Sequence, residues 1–415
     1  MNHAPRFALR AAATLAALTA LGPLPVHAQT AEAPAQAASA PPPAKTADAA
    51  AIPAATTSSS WFAPSLGVVL DVGYGSQELA LGDRDKGLHL GGAELTLSSP
   101  LGPWLEGRIT AAAHSHDKKI EKHFEEVWVG TTALPAGLQL RGGRFMSQVG
   151  YLNEQHPHAD DFATRPLLYR GFLGGHYFDD GLRLNWTAPT DFYWRTGIEV
   201  FSGKQLTREV ERKPRPGVWT LSTKVGGDVG REHSWQLGLS YLGNRRAAYA
   251  HHDDDHGDGM APGHDHSHEG HAHGAQFAGK HLWMIDGVWK WAPDGNNRAR
   301  QLRLAFEFAR QTGLGEHAAR GARNTAGYLA AVYRFHPEWE AGVRTDWLSA
   351  NLPHGDHFHA GRLREHSLML AWKPSHQQAL RLQYSHQNGA RGFEAKKAVY
   401  RQYVISFGAH GAHSF

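Results

Sequence analysis

Apolar and polar residues alternate along most of this 415-residue chain. In the segment 235–241, every odd position is a large apolar residue, while Gln236, Gly238 and Ser240 stand between them. A period of two predicts β-strands, because successive side chains of a strand point to opposite faces of a sheet. The pattern recurs in 302–309 and 339–347. We therefore predict an all-β fold whose strands have one apolar and one polar face.

The number and the ends of these segments indicate a membrane barrel. Sixteen segments follow residue 64, and several of their apolar faces begin and end in aromatic residues, as in Trp235 with Tyr241 and Trp339 with Trp347. In a membrane barrel the apolar face meets lipid and aromatic side chains collect at both interfaces. We expect a transmembrane antiparallel β-barrel of about 16 strands, which is porin size and wide enough for a channel. A secreted soluble β-protein is the alternative, since alternation does not say which solvent each face meets.

The connections between the predicted strands alternate in length. Short turns follow even-numbered strands, at 99–103, 134–137, 189–191, 292–298 and 374–377. Long polar connections follow odd-numbered strands, at 76–87, 114–123, 147–180, 202–215, 244–279, 349–363 and 388–398. Outer-membrane barrels have short periplasmic turns and long external loops. We therefore expect the long connections to lie outside the cell.

The first 60 residues have the composition of an export signal and a linker. Arg6 and Arg10 precede an apolar run at 11–21, and small residues around Ala28 offer a cleavage site, so 1–28 is predicted to be a secretory signal peptide. Residues 29–60 are mostly Ala, Pro, Thr, Ser and Gln, which bury too little surface to offset chain entropy. We predict a disordered linker there and an outer-membrane barrel at 61–415.

The end of the chain points to the same location. Phe415 shares its parity with Tyr403, Ile405 and Phe407. A terminal aromatic on an alternating strand resembles the signal that hands Gram-negative outer-membrane proteins to the barrel assembly machinery. We expect the outer membrane of a Gram-negative bacterium as the location. The expected partners are outer-membrane lipid, metal ions, the assembly machinery during biogenesis and, given the porin size, further copies in a homotrimer.

Composition excludes several kinds of protein. The chain has no cysteine, so disulfides, thiolate metal sites and thiol nucleophiles are excluded. A net charge of +3 gives no basic excess for nucleic acid, which is not an expected partner. HExxH, GxSxG and P-loop motifs are missing from the sequence, and we do not expect an enzyme. The 29 histidines are the excess that needs an explanation.

Eight of these histidines fall between residues 251 and 273, together with several carboxylates. Imidazole and carboxylate bind divalent transition metals, and zinc, nickel and copper favour the nitrogen donors. Nothing in this flexible tract imposes one geometry, so we predict weak, exchangeable binding of several ions. The alternative is that these are ordinary polar loop residues. The candidate ligands are His251, His252, Asp253, Asp254, Asp255, His256, His264, Asp265, His266, His268, His271 and His273.

Other histidines fall in long connections predicted to lie on the same side. The groups are His114, His116 and His123; His156, His158 and His176; and His354, His357 and His359. In porins the loop after strand five folds into the barrel and sets its constriction. If 147–180 does so here, His156, His158, Asp160 and Asp161 would line the narrowest path, where ligand groups select permeant ions. A purely structural loop is the alternative. The candidate ligands outside the tract are His156, His158, Asp161, His354, His357 and His359, whereas His410 and His413 are predicted to be structural.

Several motifs resemble those of a known family. They are Gly143-Arg144-Phe145, the segment 150–158 (GYLNEQHPH), Asp161-Phe162, Arg165-Pro166-Leu167 and the ending 406–415 (SFGAHGAHSF). They look like a family of bacterial zinc-regulated outer-membrane proteins, often labelled TonB-dependent receptors, and the resemblance covers the chain from about residue 62. It implies zinc or another divalent transition metal as a transported or loosely bound ion. The chain departs from the label because a plug domain and a barrel of about 22 strands do not fit in 415 residues.

These observations lead to three functional hypotheses. The first is a porin-like channel for uptake of zinc or another divalent ion, whose histidine-rich external loops gather the ion. The second is a barrel-anchored surface protein that binds and buffers metal. The third is a general diffusion porin in which the histidines are incidental.

Overall fold

The computed structural model describes residues 62–116, 118–207, 213–249, 275–314, 318–354, 357–390 and 392–408. Within these ranges, sixteen strands form one closed barrel in which each strand pairs with its sequence neighbours and the first pairs with the last. All of the pairings are antiparallel. The predicted fold class is confirmed.

The strands lie close to their predicted positions. They are β1 (Ser65–Gly75), β2 (Gly87–Pro100), β3 (Leu105–His116), β4 (Lys119–Thr131), β5 (Leu138–Met146), β6 (Phe178–Thr187), β7 (Tyr193–Phe201), β8 (Val218–Val229), β9 (His233–Asn244), β10 (His281–Trp291), β11 (Gln301–Thr312), β12 (Arg323–His336), β13 (Trp339–His354), β14 (His357–Ser375), β15 (Gln378–Ala390) and β16 (Lys396–Gly408). The end of the barrel that carries the connections after odd-numbered strands is called the loop-bearing end.

The apolar face of each strand points outward. Val343 on β13 is 53% exposed and Leu304 on β11 is 41% exposed, whereas Asp346 and Glu307 on the same strands are 0% and 1% exposed. A soluble β-protein would bury its apolar face, so this distribution contradicts the soluble alternative and fits a barrel surrounded by lipid. No helix in the described part of the chain is both long and apolar enough to cross a bilayer.

Two connections predicted to be long loops are strands instead. β3 and β4 continue to His116 and Lys119, so the predicted loop 114–123 is a tight hairpin that places His114 and His123 in strands. Likewise, β13 and β14 extend through most of the predicted loop 349–363. We predicted loops at these two places because their residues are mostly polar. A strand that extends beyond the bilayer meets water on its outer face, however, so its outward residues need not be apolar there. Both loop predictions were wrong for this reason.

The connection between β5 and β6 folds into the barrel, which is one of the two possibilities considered for 147–180 above. It contains a short helix, α1 (Leu167–Phe172), in which every residue is buried. Phe172 and Leu173 pack in one apolar cluster with inward-pointing side chains of the barrel wall. These side chains come from strands between β5 and β14. This cluster fills part of the lumen and includes Phe145, Phe201, Val218, Leu242, Leu282, Met284, Ala309, Ala326, Leu348, Ala350 and Leu363.

The connection between β1 and β2 also packs inside the barrel. Leu79 is 2% exposed and clusters with Ala163 of the inward β5–β6 connection and with Tyr400 of β16. Arg84 forms an ion pair with Asp71 at 2.8 Å and donates from Nε to the carbonyl of Ala163 at 2.9 Å. Two connections therefore meet inside the lumen, and the residues between β5 and β6, 147–177, are called the inward loop below.

Candidate functional site

The inward loop is held on one side of the lumen by hydrogen bonds to carboxylates. The hydroxyl of Tyr169 donates to Glu307 Oε2 at 2.8 Å, and the backbone N–H of Tyr151 donates to the same oxygen at 2.9 Å. The backbone N–H of Leu167 donates to Asp346 Oδ1 at 3.1 Å. These contacts pin the loop to β11 and β13, far along the chain from the loop itself.

A glycine allows the closest of these approaches. Gly150 has φ +75°, and a Cβ placed on it would lie 2.5 Å from both Glu307 Oε2 and the Tyr169 hydroxyl. Only glycine adopts this backbone conformation without strain and leaves room for the carboxylate. The loop can therefore turn directly over Glu307.

On the opposite wall, the loop meets carboxylates through histidines. His158 Nδ1 lies 2.8 Å from Glu94 Oε1 on β2. His156 contacts three carboxylates: Nδ1 lies 2.9 Å from Glu125 Oε2 and 3.2 Å from Glu94 Oε2, and Nε2 lies 3.3 Å from Glu126 Oε2. The loop thus brings two imidazoles to three glutamates that come from two barrel strands.

Two further histidines surround Glu125. His176 Nε2 lies 3.2 Å from Glu125 Oε1, and His123 Nε2 lies 3.5 Å from the same oxygen. The His123 ring stacks on Phe178, with the ring centroids 5.6 Å apart. His123, Glu125 and Glu126 share β4, where regular alternation would turn one of two adjacent glutamates toward lipid.

A β-bulge resolves this conflict. Thr110 of β3 pairs with Glu126 and the next residue, Ala111, pairs with Phe124, which leaves Glu125 as an extra residue in β4. A bulge of this kind lets two successive residues oppose one residue of the partner strand. Glu125 and Glu126 are consequently both buried on the inner side, at 4% and 2% exposure, while Phe124 remains 51% exposed outside.

Carboxylates outnumber the fixed cations at this cluster. Burial opposes ionisation of His156, but Glu94 and Glu125 outweigh it, together with Glu126, and raise the pKa of His156 well above its usual value. Burial lowers the pKa of His176 despite its contact with Glu125. Among the described residues, Arg108 is the one arginine that forms an ion pair with Glu94, Glu125 or Glu126, and it lies 3.6 Å from Glu126.

Three of these side chains fit a metal ion. One ligand atom each from Glu94, His156 and His158 lie within 4.8 Å of one another. A tetrahedral zinc ion with bonds of about 2.0–2.2 Å has ligand atoms roughly 3.3–3.6 Å apart, so side-chain shifts of about 1 Å would close the site. Two imidazoles and a carboxylate are a donor set that zinc and neighbouring transition metals accept. We call these three residues the lumen site.

The two aspartates predicted beside these histidines lie elsewhere. Asp160 forms an ion pair with Arg165 at 2.8 Å, and Asp161 pairs with Arg303 of β11. Each aspartate is thus neutralised by an arginine and does not join the imidazoles. Of the candidate ligands in this loop, the structure brings together His156 and His158 but not Asp161.

The remaining candidate ligands are not brought to this site. His359 lies exposed on β14, and His354 faces His357 in the strand register at the tip of the same hairpin. The tract 251–273 and the residues His410 and His413 lie outside the described residues. His156 and His158 line the lumen, as the inward fold of their loop predicts. His123 and His176, which were expected on the outer side, lie beside them at Glu125.

Sequence reasoning missed the three glutamates. One signal was present: Glu125 and Glu126 are adjacent between Phe124 and Val127, and neither carboxylate can face lipid at low cost. That break in alternation predicts a bulge with two inward carboxylates. Glu94 carried no comparable signal, because its place opposite His158 depends on how the loop packs.

Comparisons of the sequence with known proteins do not assign a family. No family model matches the chain. An uncharacterized protein of Aquifex aeolicus is 28% identical over 374 residues, which cover 83% of this chain and 73% of that protein. The resemblance to zinc-regulated outer-membrane proteins therefore stays a prediction.

Solved structures of outer-membrane proteins superpose on the chain. A loop-deletion mutant of OmpT, an outer membrane protein of Vibrio cholerae, matches with a TM-score of 0.54 at 11% identity over 84% of this chain and 100% of its own. OprB of Pseudomonas putida matches with a TM-score of 0.54 at 13% identity over 83% and 94%. An anion-selective porin from Comamonas acidovorans matches with a TM-score of 0.50 at 13% identity over 84% and 99%. The chain has the porin-like fold of a Gram-negative outer-membrane protein.

Proposed function

We propose that the chain is a porin-like outer-membrane channel that admits zinc or another divalent metal ion. The observation that carries the proposal is the convergence of Glu94, His156 and His158 inside the lumen. Rings and clusters of ligand side chains at a narrow point of a pore select the ions that pass. Both histidines belong to the inward loop, the segment that narrows the lumen.

The pattern of charge around the loop supports a cation at this point. Where the loop meets β7 and β8, Glu154 forms ion pairs with Arg195 and Lys224, so fixed cations neutralise this carboxylate. At the lumen site, by contrast, Glu94 and Glu125 face imidazoles. A divalent ion bound there would displace the proton that Glu94 and Glu125 favour on His156 and would supply the positive charge in its place.

The histidine-rich tract 251–273 has a complementary role in the proposal. Weak ligands on a connection that is predicted to lie outside the cell would raise the local concentration of metal near the channel entrance, while weak binding lets each ion leave again. Capture at the tract and selection at the lumen site are separate steps. Each can therefore be removed without the other.

Flux into liposomes tests the proposal. The full chain is reconstituted with a zinc indicator inside the vesicles, and entry of zinc is compared with entry of a neutral sugar. The variant Glu94→Gln should lower zinc entry about tenfold while sugar entry stays within twofold, because the amide keeps the shape and loses the charge. His359→Ala, at an exposed histidine on β14, is the matched control and should change neither flux. Equal zinc entry through the wild type and Glu94→Gln would refute selection by the lumen site.

A general diffusion porin is the second candidate, and the lining of the barrel favours it. Arg334 and Lys373 both form ion pairs with Glu340 at the end of the lumen away from the loop-bearing end. A lumen with both signs of charge suits many small solutes. This function predicts sugar and anion entry as fast as zinc entry and no effect of Glu94→Gln. Vesicles that admit no solute, while zinc still binds, would instead support a barrel-anchored metal-binding protein.

We also propose that the barrel forms a homotrimer. A trimer form of OmpT of Vibrio cholerae matches the chain with a TM-score of 0.51 at 9% identity, over 83% of this chain and 99% of its own. Native mass spectrometry of the chain in mild detergent tests this assembly directly. A monomer mass at every protein concentration would contradict it.

A further inference from the structure

The lipid-facing surface of β9, β10 and β11 carries a groove with an apolar floor. Leu239, Trp283, Ile285 and Phe308 line the groove, and Arg310 lines it toward the loop-bearing end. Trp283 and Arg310 are direct cross-strand partners. Tryptophan is enriched where hydrocarbon meets headgroups, so Arg310 stands beside a residue that marks this boundary.

Further arginines extend the positive charge from Arg310 across the neighbouring strands. Arg323 on β12 and Arg362 and Arg364 on β14 are exposed. Arg310 pairs with Thr325, and Arg323 lies two residues from Thr325 on the same strand. Arg310 and Arg323 are therefore diagonal neighbours with Cα atoms about 7–8 Å apart.

No carboxylate neutralises this surface from within the strands. All acidic residues in β10 to β16 are buried on the lumen side: Asp286, Glu307, Glu340, Asp346 and Glu365. Within the described ranges, the four outward arginines form no ion pair. All four stand toward the loop-bearing ends of their strands, and a cluster of like charges there calls for an anionic partner.

We propose that this surface binds a phosphorylated lipid of the outer leaflet, with an acyl chain in the groove and a headgroup phosphate on Arg310 and Arg323. Arginine suits this ligand because its guanidinium binds phosphate through two parallel hydrogen bonds. An arginine on the lipid face is costly at mid-membrane and far less costly near the interface, where a phosphate can meet it. Long loops of such barrels face the cell exterior, which places the cluster in the outer leaflet. This proposal is independent of what passes through the lumen.

Native mass spectrometry of the full chain in detergent tests the binding. The probe is diphosphoryl lipid A, compared with the same lipid after removal of its phosphates and with inorganic phosphate. We expect the wild type to retain diphosphoryl lipid A and the double variant Arg310→Gln, Arg323→Gln to bind it about tenfold more weakly. The matched control is the double variant Arg298→Gln, Arg300→Gln, which removes two exposed arginines at the opposite end of the β10–β11 hairpin and should bind as the wild type does.

The outcomes separate the sources of binding. Equal retention by the wild type and the Arg310→Gln, Arg323→Gln variant would overturn the proposal, as would equal binding of the dephosphorylated lipid. Displacement of lipid A by millimolar inorganic phosphate would indicate a free-phosphate site and would also overturn it. Both double variants should keep the heat-modifiable gel mobility of a folded barrel, so that a loss of binding reports on the surface and not on folding.

Discussion

Removal of one imidazole from the lumen site should weaken metal binding without unfolding the barrel. The variant is His158→Ala, made in a chain from which residues 251–273 are deleted so that the tract does not mask the lumen site. His158 is 7% exposed, and its Nδ1 lies 2.8 Å from Glu94. The substitution leaves two of the three convergent ligands in place.

The size of the effect follows from the ligand count. Loss of a residue that only supports a metal ligand typically costs about 10–100-fold in affinity. Loss of a direct ligand from a three-residue site should reach at least the upper end of this range. We therefore expect zinc to bind about 100-fold more weakly, which corresponds to roughly 2.8 kcal/mol.

Competition with a chromophoric chelator measures this affinity in detergent, and X-ray absorption reports the number of nitrogen ligands. His359→Ala in the same deletion background is the control, because His359 lies exposed on β14 and should not alter either quantity. An affinity of His158→Ala within twofold of its parent would refute the assignment of His158 as a ligand. An unchanged affinity in every lumen variant would remove the metal site altogether.

Three further predictions concern the tract and the inward loop. Protease added to intact cells should cleave within 251–273; protection of that tract would contradict its predicted external position. Glu307→Gln should destabilise docking of the loop by roughly 1–3 kcal/mol, because one amide oxygen replaces a carboxylate that accepts from Tyr169 and from two backbone N–H groups, and hydrogen exchange of the loop should quicken. Burial opposes ionisation of Glu154, but Arg195 and Lys224 lower its pKa from 4.5 to about 2. Its contribution to loop docking should therefore persist as pH falls from 7 to about 5 and be lost progressively between about 5 and 2. Release of the loop at pH 6 in wild type but not in Glu154→Gln would contradict this.

The sequence predicted the barrel well because lipid imposes a simple rule on every spanning strand. Outward positions such as Leu304 must be apolar, so alternation appears wherever the strand is in the membrane. The same rule stops at the membrane boundary. The hairpin at 114–123 and the long β13–β14 hairpin were missed as strands because most of their residues are polar, including exposed positions such as Lys122 and Arg362.

The lumen site was predictable only in part. His156 and His158 are prominent in the sequence, and porin architecture suggested that their loop turns inward. Their partners depend on packing between residues far apart in the chain: Glu94 lies 64 positions from His158. The position of Asp161 also depends on packing between distant residues. Its carboxylate forms an ion pair with Arg303 of β11 and does not join the two imidazoles.

The bulge in β4 has a consequence for how such a site could arise. Glu125 is a surplus residue, since Phe124 and Glu126 keep the orientations that a regular strand would give them. Inserting or deleting this single codon would add or remove a carboxylate from the lumen while every lipid-facing side chain of β4 stays where it is. A barrel wall can thus acquire ligand groups one residue at a time, without passing through a form that places charge in the bilayer.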